Sequence, residues 1–365
     1  MSRPAKIIID LAAIQANCRL AQSIAPHSKT VAVIKADAYG HGAVEVAKAV
    51  ESQVEMFTVS CLEEALILRQ NNLKKPILLL EGCFDKTELK IAMYNQCELV
   101  VHSSAQLLQL LSVTLEIPVK VWLKIDTGMH RLGILPQQVE SIYAELVASA
   151  NVRSIVLMTH FAHADDTDGA HTAMQISRFK NCIQPILTNT SQQVELSMGN
   201  SAALLSCDQT RVDWNRPGIM LYGLSPFIEP MDTAKQLIPA MNFESKVIAL
   251  REISIGESVG YGCTWTAQRP SIIATIAVGY GDGYPRTAKS GTPVLINLQR
   301  APLAGRVSMD LISVDVTDLA NVKIGDKAVL WGKELSANEV ANWAGTIGYE
   351  LVTRMPRRVT RHFTS

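Results

Sequence analysis

Eight short apolar runs, each ending in glycine or a polar residue and separated by segments of helical period, leave this chain few ways to bury them. The runs lie at residues 31–34, 57–59, 77–80, 99–101, 119–125, 155–158 and 194–196, with a weaker one at 219–221. Between them, residues 61–70, 103–111, 136–149 and 170–187 repeat their apolar positions at helical spacing. Strands that alternate with helices pair in parallel. A count of eight predicts a closed (β/α)8 TIM barrel, whose chemistry gathers at the carboxyl ends of the strands. A lower count would fit a doubly wound sheet instead.

After Pro230 the texture becomes β-rich, with runs at 244–253, 271–278, 292–296, 301–304, 311–316 and 327–330 and a turn signal at 324–326. The 365 residues exceed the roughly 250–300 at which a single core stops growing. The predicted fold class is therefore α/β: a TIM barrel over residues 10–234 and a C-terminal mostly-β domain over 235–365. The short run at 1–9 is expected to form a strand that pairs with the second domain.

Composition narrows the function. Lys plus Arg and Asp plus Glu number 34 each, so the broad positive surface that nucleic acid requires is not expected. The first ten residues lack a basic segment followed by an apolar run, and no stretch is long enough to span a bilayer. A cytoplasmic protein with no membrane partner is expected. Seven scattered cysteines without a CxxC pair argue against a disulfide framework and a zinc site, and no metal is expected.

Lys35 directly follows an apolar run and precedes a turn marked by Gly40 and Gly42. A lysine at a strand end is ordinarily solvated, but one at a barrel mouth can serve as an amine nucleophile or base. The segment KADAYGHG at 35–42 resembles the cofactor-binding signature of the alanine racemases, barrel-type enzymes dependent on pyridoxal 5'-phosphate. Further segments resemble that family in the same order: LKIDTGMHRLG at 123–133, THFA at 159–162, GNSA at 199–202, NRPGIMLYG at 215–223, SVGYG at 258–262, GRVSMD at 305–310 and Tyr349. Any one of these is a weak signal. Together they span both domains.

The resemblance implies roles. Lys35 would carry the cofactor as a Schiff base and exchange the substrate's α-proton on one face, with Tyr261 as the base on the other. A phenol ionises near pH 10 in water, so such a base needs surroundings that stabilise its anion. Arg216 would hydrogen-bond the cofactor's pyridine nitrogen and, having no site to accept a proton, leave it unprotonated. His160 would support that arginine. Tyr39, Ser201, Gly218, Ile219 and Tyr349 match positions around the cofactor phosphate. Arg131 matches an arginine on the cofactor's phenolic oxygen and the substrate carboxylate, and Met309 a residue whose backbone amide meets that carboxylate. Lys124 matches a lysine carbamylated in some members, and Arg286 a residue of the entrance channel.

In that family the residues matching Tyr261 and Met309 reach the neighbouring subunit's cofactor, so the resemblance implies a homodimer with shared sites. The implied reaction is two-base interconversion of L- and D-alanine, providing D-alanine for peptidoglycan, with serine as a secondary substrate. Two alternatives stay open: a decarboxylase of the same barrel class, and a non-catalytic pyridoxal-phosphate-binding protein. The second would leave everything after Pro230 unexplained. Asp37, where asparagine is frequent, and His130 are mild departures that remove no required group.

Overall fold

In a computed structural model, which describes residues 3–166, 168–190 and 193–365, the chain begins with a strand that belongs to its far end. Met1 and Ser2 of the expected N-terminal segment lie outside the described residues. Strand β1 (Lys6–Asp10) pairs antiparallel with the first long strand after the barrel and parallel with the last strand of the chain. Asp10 then caps helix α1 (Leu11–Ile24), its carboxylate accepting from Ala13 N at 2.9 Å.

The barrel closes through eight parallel strands: β2 (Lys29–Val33), β3 (Met56–Val59), β4 (Ile77–Leu79), β5 (Cys97–Val101), β6 (Val119–Lys124), β7 (Val152–Met158), β8 (Glu195–Ser197) and β9 (Trp214–Asn215). Helices α2 (Lys35–Tyr39), α3 (Ala43–Val50), α4 (Leu62–Gln70), α5 (Lys86–Tyr94), α6 (Ser104–Leu111), α7 (Val139–Ala148), α8 (Ala170–Asn189) and α9 (Ser201–Ser206) follow them. Inside, Val31, Met56, Leu78, Val100, Trp122, Val156, Met158 and Trp214 form one packed cluster. Trp122 and Trp214 meet at 5.4 Å between centroids, with the Lys29 and Lys120 ammonium groups over the Trp214 ring at 4.7 and 4.8 Å. These groups lie towards the amino ends of their strands. That end is filled, which leaves the carboxyl ends as the open mouth.

One expectation is corrected. The eighth strand is Trp214–Asn215, not residues 219–221, which belong to a 3-10 turn (Ile219–Tyr222) whose four residues are all buried. Pro217 has no N–H to extend a ladder, so the chain leaves the sheet there. The apolar residues that follow are buried by packing on α1 rather than by strand pairing.

The second part is built on β10 (Met241–Ile253), followed by the short hairpin β11 (Ser258–Val259) and β12 (Trp265–Thr266), then β13 (Ser271–Ile276), β14 (Pro293–Ile296), β15 (Gln299–Pro302), β16 (Ile312–Asp315), β17 (Lys327–Trp331) and β18 (Thr360–Thr364). An eight-stranded sheet runs β15-β14-β17-β10-β1-β18, with β13 branching from β10 and β16 from β13. Helices α10 (Ala337–Ala344) and α11 (Gly348–Thr353) lie late in a region read from sequence as β-rich. Among the described residues, no helix is long and apolar enough to cross a membrane, and all seven cysteines are free.

Ile7 is wholly buried on β1, opposite Phe243 of β10 and Arg361 of β18. Ile7→Ala is expected to cost about 2–5 kcal/mol in urea unfolding, the range for a large aliphatic core truncation. A loss under about 1 kcal/mol would mean that β1 is a peripheral strand.

Candidate active site

The first barrel strand ends in a strained turn. Lys35 follows β2 and Ile34, and the next four residues, Ala36, Asp37, Ala38 and Tyr39, all have φ between 52° and 54°. Left-handed backbone costs an L-residue about 1–2 kcal/mol, and here none of the four is glycine. Neighbours hold the turn at almost every polar group. Glu64 accepts from Ala36 N at 2.7 Å and from Ser60 N at 2.8 Å. Gly40 N donates to Ala36 O, and Gly42 N to Asp37 O, both at 2.9 Å. Arg361 of β18 donates to Gly40 O at 3.0 Å and pairs with Asp37 at 3.4 Å. The departure at position 37 thus has an ionic partner in the second domain. Gly40 must be glycine: at φ 78°, a Cβ would lie 2.0 Å from Val352 O.

Behind this turn the mouth is cationic. Arg216, buried after β9, donates to Ser197 Oγ, to Thr159 O at 2.7 Å and to Met198 O at 3.2 Å, and one Nη lies 3.4 Å from His160 Nδ1. Burial pushes this guanidinium down to about 10. Burial, then Arg216, Lys124, Arg131 and Lys35, hold His160 well below the usual imidazole range. It is neutral, and its Nδ1 accepts from Arg216.

Lys124, at the end of β6, is pushed down to about 8 by burial and by Arg216, Arg131 and Lys35. Burial and Arg131 likewise lower the Lys35 amine. The nearby carboxylates are engaged elsewhere: Glu64 by the amides above, Glu81 by Ser60 Oγ at 2.7 Å, and Asp126 by the amides of Gly128, Met129 and His130 at 2.9–3.1 Å. Asp126 thereby shapes the loop that presents Arg131, which is exposed.

Beside these cations is a neutral polar cradle. Ser201 Oγ accepts from Gly218 N at 2.8 Å and from Met220 N at 3.4 Å. Ile219 opens a turn, so its N–H has no acceptor within that turn. A Cβ on Gly218 would meet Tyr39 Oη at 2.8 Å, and the Tyr39 and Tyr349 rings lie 6.2 Å apart. Burial raises the Tyr39 phenol to about 12 and moves Tyr349 in the same direction, so both remain protonated donors. Amides, hydroxyl and phenols around a glycine at a barrel's last strands suit a bound phosphate.

The sequence model described as alanine racemase, N-terminal domain, matches residues 9–226, and that described as alanine racemase, C-terminal domain, matches residues 240–363. This chain belongs to the alanine racemase family. It is 52% identical over 373 residues to the alanine racemase of Pseudoalteromonas atlantica, covering 100% of this chain and 99% of the relative. It is 44% identical over 362 residues to the biosynthetic alanine racemase of Pseudomonas aeruginosa, covering 99% of each. The crystal structure of a biosynthetic alanine racemase from Pseudomonas aeruginosa superposes with a TM-score of 0.95 over 100% of both chains.

Two of the residues matched to the alanine racemase site are strongly exposed. Tyr261, on the turn after β11, is 71% exposed, and Met309, before β16, is 54% exposed. Arg286 is exposed as well. Sequence reading missed Glu64, Thr159, Ser197 and Arg361, which hold the matched residues in place. Nothing in local spacing marks them, since each acts across 19 to 324 residues of chain; Ser197 to Arg216 and Arg361 to Asp37 set those limits.

The charge on Lys124 has a testable cost. Below about pH 8 it is protonated in both the folded and unfolded chain and is buried among cations. Between about 8 and its ordinary 10.5 the unfolded chain keeps a proton that the folded chain releases, so stability rises with pH over that window. In cofactor-free protein and bicarbonate-free buffer, Lys124→Met should raise the urea midpoint at pH 7. The gain should shrink towards pH 10.5, whereas a pH-independent difference would contradict the assignment.

Proposed function

We propose that this protein interconverts L- and D-alanine with pyridoxal 5'-phosphate and supplies D-alanine for peptidoglycan. The observation that carries the reading is the cluster of Lys35, Lys124, Arg131 and Arg216 at one barrel mouth, with its carboxylate neighbours already engaged and a neutral anion cradle alongside. Such a cluster calls for an anionic partner. A phosphorylated cofactor with a phenolic oxygen, together with an amino-acid carboxylate, meets that need. The names of relatives across the full length of the chain support alanine as the substrate.

In this reading Lys35 would hold the cofactor's aldehyde. Ser201, the amides of Gly218 and Ile219, Tyr39 and Tyr349 would hold its phosphate, and Arg216, backed by His160, would take its pyridine nitrogen. When bound, the cofactor supplies a conjugated ring that makes the α-C–H of an attached amino acid acidic. The chain's residues do the rest. The lowered Lys35 amine is available as the free base that takes or returns a proton on one face of Cα. Arg131 fixes the substrate carboxylate with its planar fork.

The opposite face needs a second base, and Tyr261 stands exposed on its own chain. We assign it, with the Met309 amide, to the site of a partner subunit in a two-fold homodimer whose two sites are shared, and Arg286 to the approach to that site. A Lys124 amine near 8 retains a neutral fraction at pH 7, as carbamylation requires: the lone pair adds to carbon dioxide, a proton leaves, and the new carboxylate lies beside Arg131.

The first test is α-proton exchange in deuterated water with L-alanine and pyridoxal 5'-phosphate, followed on a chiral column. Deuterated D-alanine is expected. No exchange with alanine, combined with release of carbon dioxide from another amino acid, would replace the racemase reading with a decarboxylase.

Shared sites are tested by mixing inactive variants. Lys35→Ala and Tyr261→Ala protomers, unfolded together and refolded one to one, form mixed dimers in which one of the two sites is intact. Activity should return to about one quarter of wild type, because half the dimers are mixed and each has half its sites. No recovery would place Lys35 and Tyr261 of one site on the same chain.

A further inference from the structure

We propose that His41 is a positioning residue for the Lys35 turn, and that its outer nitrogen shares one buried water with the indole of Trp331, tying the second domain to that turn. The inference rests on the reading of Lys35 as the cofactor lysine. Its geometry is independent of that reading.

His41 is fully buried, and its Nδ1 lies 3.1 Å from Ala38 O and 2.9 Å from Tyr39 O. A carbonyl oxygen only accepts, so Nδ1 must carry the proton and donate to both. These are carbonyls of the left-handed turn; Ala38 O also accepts from His41 N at 3.0 Å. One imidazole N–H therefore serves two acceptors of the strained backbone that presents Lys35. The ring also stacks on Tyr222 at 4.5 Å, and Tyr222 stacks on Tyr39 at 5.0 Å and donates its hydroxyl to Val33 O at 2.8 Å. His41 is thus packed on Tyr222, which in turn contacts both the turn and the strand before it.

With Nδ1 protonated and the ring held neutral by burial, Nε2 is an acceptor. It has no partner among the described residues. Trp331 Nε1, also wholly buried and without a partner there, can only donate. Both residues line one cavity, walled otherwise by Tyr222, Met241, Ala337 and Val352 among others, that offers a water-sized sphere ≈ 10 Å³. That is about the least volume that holds one water. A water donates and accepts at once, so a single molecule satisfies an acceptor on one side and a donor on the other. A cation or an anion would satisfy only one of them.

The bridge joins β17, through Trp331, to the chain just after Lys35, and it complements the direct contact of Arg361 with Gly40 O and Asp37.

The first test is an electron-density map of the wild-type protein, with and without cofactor, at a resolution that orders buried water. A peak within hydrogen-bonding distance of both His41 Nε2 and Trp331 Nε1 is expected, and a dry cavity overturns the bridge whatever the protein binds. The positioning role is read from the variants His41→Leu and His41→Asn. The asparagine amide can donate to the same carbonyls, whereas leucine cannot. Affinity for pyridoxal 5'-phosphate, titrated by its visible absorbance, should fall about tenfold in His41→Leu and recover to within about threefold of wild type in His41→Asn. Equal losses in both would reduce His41 to a packing residue and overturn the role. If His41→Leu fails to fold, the density and the asparagine variant still decide. In a crystal of cofactor-free His41→Leu, residues 36–39 are expected to leave the left-handed region, and unchanged dihedrals would also overturn the role.

Discussion

Four cationic side chains and a neutral histidine crowd one end of the barrel, where the nearby carboxylates of Glu64, Glu81 and Asp126 are hydrogen-bonded to other groups, and the cost of keeping the cations there shapes the site. Like charges in a poorly solvated site repel, and desolvation adds to the penalty for each. Lys35, Lys124 and Arg216 are accordingly all displaced towards their neutral forms. The site is arranged to be stable when filled by anions rather than when empty, and a ligand that stabilises only the folded state returns that free energy as binding. Neutral hydrogen bonds hold the arrangement meanwhile. Arg216 is fixed by carbonyls and the Ser197 hydroxyl rather than by a carboxylate, so its charge stays available to a ligand.

The second constraint is the turn that aims Lys35. Four consecutive non-glycine residues in the left-handed region would revert in isolation, and local sequence contributes little to prevent it. Beside the local bonds from Gly40, His41 and Gly42, restraints come from distant elements: Glu64 from α4, Val352 O from α11 behind Gly40, and Arg361 from β18. The second domain thus contributes to the geometry of a lysine that follows the first barrel strand. β1, which pairs with both β10 and β18, keeps the two parts in register. Strain that is over-determined by its surroundings in this way is typical of functional sites.

Much of this was legible in the sequence. Parallel strands buried on both faces read as short continuous apolar runs, so seven of the eight barrel strands could be located. The eighth could not, because Trp214–Asn215 is two residues long and the stronger apolar run at 219–222 is buried as a turn. The helices α10 and α11 went unread because short elements within a β-rich region carry too few turns to show a period. The matched site residues were recoverable only as a resemblance carried by ordered motifs. The left-handed turn had a partial signal in Gly40 and Gly42, but four positive φ angles at Ala36 to Tyr39 violate the preference of every residue involved. The restraining residues had none, because their roles exist only in three dimensions.

The exposed residues Tyr261 and Met309 pose the remaining question of how a side chain on an outward-facing loop is kept in position. Asp282 has no exposed surface and accepts from Gly279 N at 2.9 Å, from Arg3 at 2.7 Å and from Arg358 at 2.9 Å. The same two arginines grip Asp310, Arg3 at its carbonyl and Arg358 at its carboxylate. Asp310 adjoins Met309, and Gly281 N donates to Met309 O at 2.8 Å. The loop bearing Met309 is therefore fixed by a charged network within its own chain. Breaking such a network would strand a buried carboxylate, which is strongly destabilising. A loop already ordered in the free chain loses little conformational entropy on docking, which would favour the shared site proposed for Tyr261 and Met309.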